Sequence, residues 1–233
     1  MKKISIEIFS DVLCIWAYGA QVRFDQIRAD YGERVELIHR FIPVFAAAHR
    51  RIEAGWKDQG GYAAFNRHLQ EVAAGWDHVT LHPEVWLHEP PESSLPAHLY
   101  LKALQLLEGK GALAVPPLVD GQGRCPSEEY AWRLRYAFFA EARNIAARAT
   151  LDALAQDMRL PLEDIHEMID CGAAHAALHQ DLEARDEYMV PGSPTLVFNE
   201  GRQRLYGNIG YRIIDANIRE LLHDRQYGEA SWC

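Results

Sequence analysis

The chain has 233 residues, of which 48% are hydrophobic and 24% charged, a balance typical of folded globular proteins that excludes intrinsic disorder. Its net charge of −9 comes without any block of five or more basic residues, which argues against nucleic acid or an anionic membrane surface as a partner. No apolar run reaches the ~18 residues that a membrane span needs.

The first 45 residues have a β-α-β pattern. Isoleucines that alternate with polar residues predict a first strand ending at Phe9, and residues 35–41 alternate in the same way. Ser10 and Asp11 are predicted to cap a helix over residues 13–31. A helical crossover of this length predicts that the two strands are parallel neighbours.

Residues 46–188 show repeated helical periodicity and no strong strand pattern. The predicted helices span residues 62–75, 94–107, 127–144, 150–158, 161–170 and 172–188, with Ser127 as the predicted start of a capping motif. The segment predicts an α-helical domain over residues 46–185 that interrupts a second domain made of residues 1–45 and 186–226.

The last 40 residues return to an α/β pattern. Residues 194–199 predict a strand, and residues 203–206 predict a hairpin partner for it. Residues 211–223 predict an amphipathic helix. The predicted order is therefore β-α-β, a helical block, and α-β-β-α.

The cysteines and the N-terminus bear on the cellular compartment. Four cysteines lie far apart and without C-x-x-C spacing: Cys14, Cys125, Cys171 and Cys233. The N-terminus lacks the continuous apolar stretch of ~7–15 residues found in secretory signals. Together these observations predict a cytoplasmic protein with free thiols.

Cys14 lies at the predicted junction between the first strand and the first helix. Unpaired amides and the positive end of the helix dipole stabilise a thiolate there, which predicts that Cys14 is ionised near neutral pH. The alternative is a buried thiol that behaves as a small apolar residue. That alternative is favoured for Cys125 and Cys171.

Pro194 opens a predicted strand, where a residue without an amide hydrogen needs a special context. A cis peptide bond between Ser193 and Pro194 would supply such a context. The alternative is an ordinary turn proline before an edge strand.

Three segments resemble one known family. Residues 9–17 (Phe-Ser-Asp-Val-Leu-Cys-Ile-Trp-Ala) resemble the Ser-Asp-x-x-Cys-x-Trp-Cys motif of DsbA-like thioredoxin-fold proteins, especially the FrnE-like branch. Residues 192–195 resemble the family's cis-proline loop, and residues 91–98 resemble its Asn-[Ser/Thr]-x-x-Ala-His segment. The resemblance implies an α/β thioredoxin fold with an inserted α-helical domain. Relatives include 2-hydroxychromene-2-carboxylate isomerases and kappa-class glutathione transferases.

The sequence departs from the motif at Ala17, which stands where the relatives have a second cysteine. An internal disulfide needs both sulfurs, so a dithiol cycle at this site is excluded. What remains is monothiol chemistry at Cys14.

The resemblance also implies a glutathione site around Cys14, with Trp16 and Ala17 beside the thiol. Trp16 is expected to shield the sulfur from water. Ser193 and Pro194 are expected to offer a backbone platform to a peptide-like ligand.

More distant contacts with glutathione are expected from three further residues. Asn208, at the start of the last helix, is expected to meet the γ-glutamyl carboxylate, with a loop cap as the alternative. Ser94 and His98 are expected to line the cleft from the helical domain. Their alternatives are a helix cap for Ser94 and a solvated or core-edge position for His98.

No metal site is expected. His175 and His179 have the i, i+4 spacing of a metal pair, but no third ligand has a clear spacing, so both are interpreted as surface residues. Cys233 could fold back as a resolving thiol, although a frayed terminus is favoured.

We therefore expect a cytoplasmic thiol-dependent oxidoreductase of monothiol type that acts through Cys14, with glutathione as a co-substrate and not as a tightly bound cofactor. One alternative is a glutathione-dependent isomerase or transferase. Another is a non-catalytic thioredoxin-fold binding protein. The expected partner is a small-molecule thiol or electrophile. The sequence does not identify the substrate or the redox partner, and it does not decide whether the protein is a homodimer.

Overall fold

The computed structural model describes residues 3–113 and 123–223, which form four strands and nine α-helices. In chain order these are β1 (Ile4–Ser10), α1 (Ile15–Tyr31), β2 (Val35–Phe41), α2 (Ala48–Trp56), α3 (Gly61–Ala73), α4 (Leu95–Gly109), α5 (Pro126–Phe139), α6 (Arg148–Asp157), α7 (Leu162–Asp170), α8 (Ala173–Glu187), β3 (Thr195–Phe198), β4 (Gln203–Tyr206) and α9 (Tyr211–Leu222).

The four strands form one mixed sheet in the order β2-β1-β3-β4. Strands β1 and β2 are parallel, with Ile4 opposite Val35, which confirms the prediction for the β-α-β unit. Strand β3 runs antiparallel to both β1 and β4. The carboxyl end of β1 therefore lies beside the start of β3, so the residues after Ser10 meet the loop that precedes Thr195.

Alternation along β1 directs its side chains to opposite faces of the sheet. Ile4, Ile6 and Ile8 pack in an apolar cluster with residues of α1 and α9. Phe9 points to the other face and packs with Val197, against side chains of α8. Both faces of the sheet are thus covered by helices, as expected for an α/β protein.

The largest apolar cluster joins the helical segment to the rest of the chain. It contains residues of α4 and α5 together with Val12 and Leu13 from the loop after β1 and Phe41 from the end of β2. Residue 46 is the predicted start of the inserted helical domain, and the cluster contains residues from both predicted domains. The apolar packing is therefore continuous across the predicted boundary. The division at residues 45 and 185 stays a prediction.

Helix α2 was not predicted from the sequence. It is short and buries only Ala48 and Ile52, so its apolar pattern is too sparse to stand out.

Two predicted caps are wrong. Helix α1 begins after Cys14 without a side-chain cap, because the Asp11 carboxylate is engaged by other groups described below. Helix α5 begins after Cys125, whose backbone N–H donates to the Glu128 carboxylate, and not at Ser127.

Candidate active site

Cys14 occupies the N-cap position of α1, directly after the loop that leaves β1. The amides of Ala17 and Tyr18 both donate to its carbonyl oxygen, at 3.1 Å each. The residue is buried, with only 6% of its surface exposed. The strand-to-helix junction predicted for Cys14 is therefore confirmed.

The loop before β3 closes on Cys14. The Cys14 thiol donates a hydrogen bond to the Ser193 carbonyl oxygen at 3.3 Å. The backbone N–H of Asp11 donates to the Ser193 hydroxyl at 2.9 Å, so one serine contacts both ends of the Cys14 loop. The peptide bond between Ser193 and Pro194 is cis.

Burial raises the pKa of the Cys14 thiol above its ordinary value. The Ser193 side chain and the amides of Ala17 and Trp16 act in the opposite direction, and the nearby charge of Asp11 adds to the rise. This direction opposes the expected ionisation of Cys14 near neutral pH, which stays a prediction. The pKa rises because desolvation of the sulfur outweighs the stabilising amides at the helix N-terminus.

A fully buried carboxylate, Asp11, fixes the Cys14 loop. Its Oδ1 atom accepts a hydrogen bond from the Leu13 N–H at 2.8 Å. Its Oδ2 atom accepts from the Phe45 N–H and from the Ser94 hydroxyl, both at 2.8 Å. Asp11 thus connects the Cys14 loop to the end of β2 and to the start of α4.

Ser94 and His98 lie beneath the Cys14 loop and are fully buried. The Nε2 atom of His98 accepts from the Val12 N–H at 3.3 Å and lies 3.7 Å from the Asp11 carboxylate. Burial lowers the pKa of His98, which favours a neutral imidazole. Neither residue is among those that line the cleft, so the structure places them as supports of the loop.

Arg135 is a buried charge that the sequence analysis did not single out. It lies on α5 with 1% of its surface exposed, and its Nη2 atom donates to the Ser10 hydroxyl at 3.0 Å. Burial lowers the pKa of Arg135 to about 10. An arginine in a helical sequence is normally exposed, so no sequence signal marked this one as buried.

A cleft of about 780 Å³ opens beside Cys14. Its floor is formed by Cys14, Trp16 and the loop at Ser193. Its volume is within the range of ~300–1,000 Å³ that is usual for small-molecule sites. The cleft is therefore large enough to hold a small-molecule ligand beside Cys14.

The far wall of the cleft comes from α2 and α3. Ile52, Trp56 and Phe65 form its apolar part. The Phe45 ring also lines the cleft and lies 5.2 Å below the guanidinium of Arg51. The helix that the sequence analysis missed therefore supplies a large part of this wall.

Three basic side chains line the same cleft: Arg51, His68 and Arg185. No aspartate or glutamate is among its described lining residues. This contrasts with the net charge of −9 for the whole chain. The cleft is consequently suited to an anionic ligand.

Trp16 lines the cleft with 37% of its own surface exposed, and its shielding of the Cys14 sulfur stays a prediction. Its ring packs edge-on against Trp76, with the centroids 5.4 Å apart. Trp76 in turn lies against α1 at Gly19, where an added Cβ atom would be 2.5 Å from the Trp76 ring. A glycine at this position therefore permits the Trp16–Trp76 contact.

The remaining predicted site residues lie away from the cleft. Ala17 is fully buried in the first turn of α1. The Asn208 side-chain oxygen accepts a hydrogen bond from Arg23 at 2.7 Å, and Asn208 is not among the residues that line the cleft. Its contact with glutathione stays a prediction.

His175 and His179 lie on α8, and His179 is 3.5 Å from the exposed Glu183 carboxylate. Within residues 3–113 and 123–223, no group of three or more histidine, cysteine, aspartate or glutamate side chains is placed to hold a metal ion. Cys233 lies outside the described residues. None of the helices in the described ranges combines the length and apolar character needed to cross a lipid bilayer.

Comparison with solved structures places the fold. A probable DsbA oxidoreductase from Streptomyces coelicolor superposes with a TM-score of 0.70 at 18% identity, over 98% of this chain and 94% of that chain. The cytosolic disulfide reductase DsbM from Pseudomonas aeruginosa superposes with a TM-score of 0.60 at 17% identity, over 92% of this chain and 98% of that chain. DsbM has also been solved with GSH. A 2-hydroxychromene-2-carboxylate isomerase superposes with a TM-score of 0.61 at 14% identity, over 93% of this chain and 95% of that chain. At these identities the likeness shows the fold alone.

Comparison with curated proteins gives no match. A family model described as a DSBA-like thioredoxin domain matches residues 5–218. This match covers nearly the whole chain and agrees with the sheet order and with the meeting of Cys14 and Ser193. The chain belongs to the DsbA-like thioredoxin-domain family.

Proposed function

We propose that this protein is a thiol-disulfide oxidoreductase of monothiol type that acts through Cys14 and uses glutathione as its co-substrate. The observation that carries the proposal is the position of the Cys14 sulfur, 3.3 Å from the Ser193 carbonyl oxygen at the floor of a cleft. A thiol at the start of a helix and beside a cleft can, once deprotonated, attack the sulfur of an incoming disulfide.

Ala17 supports the monothiol part of the proposal. It lies one helical turn after Cys14, where a dithiol enzyme of this motif carries its second sulfur. A side chain without sulfur cannot resolve a mixed disulfide at Cys14. In this proposal the resolving thiol comes from a second molecule.

The cleft supports glutathione as that molecule. Glutathione is a small peptide with two carboxylates and a thiol, and Arg51 and Arg185 supply positive charge on the walls. The loop at Ser193 lines the cleft, and we propose that its backbone pairs with the peptide-like ligand. Binding of GSH by DsbM, a neighbour of the same fold, adds support at the level of the fold.

The proposed cycle conserves atoms and electrons in two exchanges. First, the Cys14 thiolate attacks the glutathionyl sulfur of a substrate mixed disulfide. The Cys14–glutathione bond forms, the substrate sulfur leaves as a thiolate, and that thiolate takes a proton from water. Second, the thiolate of another glutathione attacks the sulfur of the bound glutathione, which releases Cys14 and forms glutathione disulfide. A cytoplasmic location, where glutathione is reduced, belongs to this proposal.

The test is the reduction of a mixed disulfide between glutathione and 2-hydroxyethanethiol, followed by coupled consumption of the glutathione disulfide formed. We expect turnover by the full chain and its loss in Cys14→Ser. Cys171→Ser, at an exposed cysteine away from the cleft, is the matched control and should keep full activity. Equal turnover by Cys14→Ser and the parent would contradict the proposal.

One observation favours a second candidate, a glutathione-dependent isomerase or transferase. The buried Cys14 has a raised pKa and donates its S–H, as a residue would that stabilises the thiolate of a bound glutathione. Serine retains a hydrogen-bond donor, so Cys14→Ser would keep much of a glutathione-dependent activity in this mechanism. In the monothiol mechanism the same variant is inactive, and the two candidates are thereby separated.

A further inference from the structure

The far wall of the cleft, which α2 and α3 supply, is rich in ring faces. Its members are Arg51, Ile52, Gly55, Trp56, Phe65, His68 and Leu69. The Trp56 ring centroid lies 5.5 Å from that of Phe65 and 5.0 Å from that of His68. These three rings line the cleft and are only half-buried, so each keeps surface that a ligand can cover. Aromatic surface of this kind favours a ligand with a ring of its own.

Direct contacts join the far wall to the loop that carries Cys14. Phe45 also lines the cleft, and its N–H donates to the Asp11 carboxylate at 2.8 Å. The Phe45 ring centroid lies 6.4 Å from that of Phe65. Glutathione is polar and has no ring, so a glutathione joined to Cys14 leaves this aromatic surface without a matching group. The far wall therefore requires a second ligand group within the same cleft.

Arg51 adds a cation to the aromatic surface. Its guanidinium lies 5.2 Å from the centroid of the Phe45 ring, and among the described residues no carboxylate forms an ion pair with it. Arg185, the other arginine of the cleft, differs because its Nη2 atom lies 2.7 Å from the Asp186 carboxylate. A cation held over a ring without a counter-ion attracts an anionic group, and the planar guanidinium matches a carboxylate.

We infer that the far wall binds the part of the substrate that is joined to glutathione through sulfur, and that this part is an aromatic group carrying a carboxylate. The ring packs among Trp56, Phe65 and Phe45, and the carboxylate pairs with Arg51. The inference rests on the proposed function for the attachment to glutathione, and on the residues of the wall for the aromatic and anionic character. In the first exchange, the sulfur that leaves as a thiolate is then that of an aromatic acid.

The test compares three small probes that differ in one property each: benzoate, benzamide and cyclohexanecarboxylate. Benzamide keeps the ring without the charge, and cyclohexanecarboxylate keeps the charge without the ring. Saturation-transfer NMR on the full chain at pH 7 measures their dissociation constants. We expect benzoate to bind about fivefold more tightly than either analogue, because only benzoate satisfies both the rings and Arg51.

The indole N–H signals of isotope-labelled protein locate the probe. We expect the Trp56 signal, identified by its loss in Trp56→Phe, to shift on addition of benzoate. Trp132 is not among the residues that line the cleft, so its signal is the internal control and should not move. Benzoate that binds without moving the Trp56 signal would place the ligand elsewhere and would overturn the inference.

Two variants separate the charge from the rings. We expect Arg51→Gln to lose the preference for benzoate over benzamide and to keep the preference over cyclohexanecarboxylate. We expect Phe65→Leu to show the opposite pattern. Arg50→Gln removes a neighbouring exposed arginine of α2 that does not line the cleft, and it should bind all three probes as the parent does. Equal affinities of the parent for the three probes, or equal losses in Arg50→Gln and Arg51→Gln, would contradict the inference.

Probe binding requires no glutathione, so its outcome is distinguishable from that of the proposed function. Selective benzoate binding by a protein that never exchanges with glutathione would refute the proposed function and leave the ligand class of the far wall standing. Glutathione exchange in a protein that does not select benzoate would support the proposed function and refute this inference.

Discussion

The Cys14 sulfur donates a hydrogen bond to the Ser193 carbonyl oxygen, joining two loops that are 179 positions apart in the chain. The contact is possible because β1 and β3 are antiparallel neighbours, which puts the end of one beside the start of the other. It also means that the thiol is a donor in the resting protein. Any ligand that pairs with the Ser193 backbone will therefore alter the surroundings of the sulfur.

Substitution of Ala17 tests whether the missing second sulfur alone prevents dithiol chemistry. We expect Ala17→Cys to form an internal disulfide with Cys14 under mild oxidation, because the two residues lie at the spacing of the family's C-x-x-C motif. The measurement is thiol counting before and after oxidation. Ala20→Cys, at a similarly buried position one turn farther along α1, is the control and should form no such bond. An Ala17→Cys variant that keeps every thiol free would contradict the expectation.

Substitution of Ser94 tests the support of the Cys14 loop. Ser94→Ala removes one of the three hydrogen bonds to the buried Asp11 carboxylate, and we expect it to lower the free energy of unfolding by about 1–3 kcal/mol. Urea denaturation measures the change. The neighbouring Ser93→Ala should cost less, because the Leu95 amide that it leaves unpaired is near solvent. An equal loss of unfolding free energy in the two variants would contradict the stabilising role of the Ser94–Asp11 hydrogen bond.

Glu128 should make stability depend on pH. Hydrogen bonds and charges from His39 and Arg28 lower its pKa to about 2 despite burial. A lowered pKa stabilises the folded protein above the ordinary value of 4.5, and this contribution is lost as pH falls from about 5 towards 2. The full contribution is about 3 kcal/mol.

Urea denaturation between pH 7 and pH 3 measures this effect. We expect the parent to lose more stability across this range than Glu128→Gln does, because the variant has no carboxylate to protonate. Glu141→Gln, in an exposed pair with Arg143, should follow the parent profile. Parallel profiles for the parent and Glu128→Gln would contradict the assignment.

Gly19 should be intolerant of a side chain. In Gly19→Ala the Cβ atom would lie 2.5 Å from the Trp76 ring, so we expect Trp76 to shift away from Trp16 at a cost of about 1–3 kcal/mol. Thermal unfolding and tryptophan fluorescence measure the two effects. Gly109→Ala is the control at another helical glycine, where an added Cβ meets no atom, and should be neutral or slightly stabilising. An unchanged fluorescence spectrum in Gly19→Ala would argue against this packing.

Much of the fold could be predicted from the sequence, because local patterns are strong at its two ends. Alternation along β1 and β2 predicted the parallel pair, and residues 203–206 form the predicted hairpin strand. Helix α2 was not predicted because only two of its nine residues are buried, which is too few to show a helical periodicity in the sequence. The cleft wall was missed with it.

The site could be predicted only where a motif marked it. Cys14 and Ser193 meet as the motifs implied. Ser94 and His98 were placed in the cleft, yet they support the loop from below, because sequence spacing does not reveal on which side of a loop a helix packs. Arg135 carried no signal at all, since its burial depends on long-range packing of α5.

The central claim is that Cys14 exchanges with glutathione as a single thiol. The most direct measurement is mass spectrometry of the full chain after incubation with glutathione disulfide at pH 8, followed by peptide mapping and treatment with reduced glutathione. We expect one glutathione per chain, on the Cys14 peptide, which reduced glutathione removes completely. Modification of Cys125 or Cys171 in preference to Cys14, or no modification of Cys14, would contradict the account.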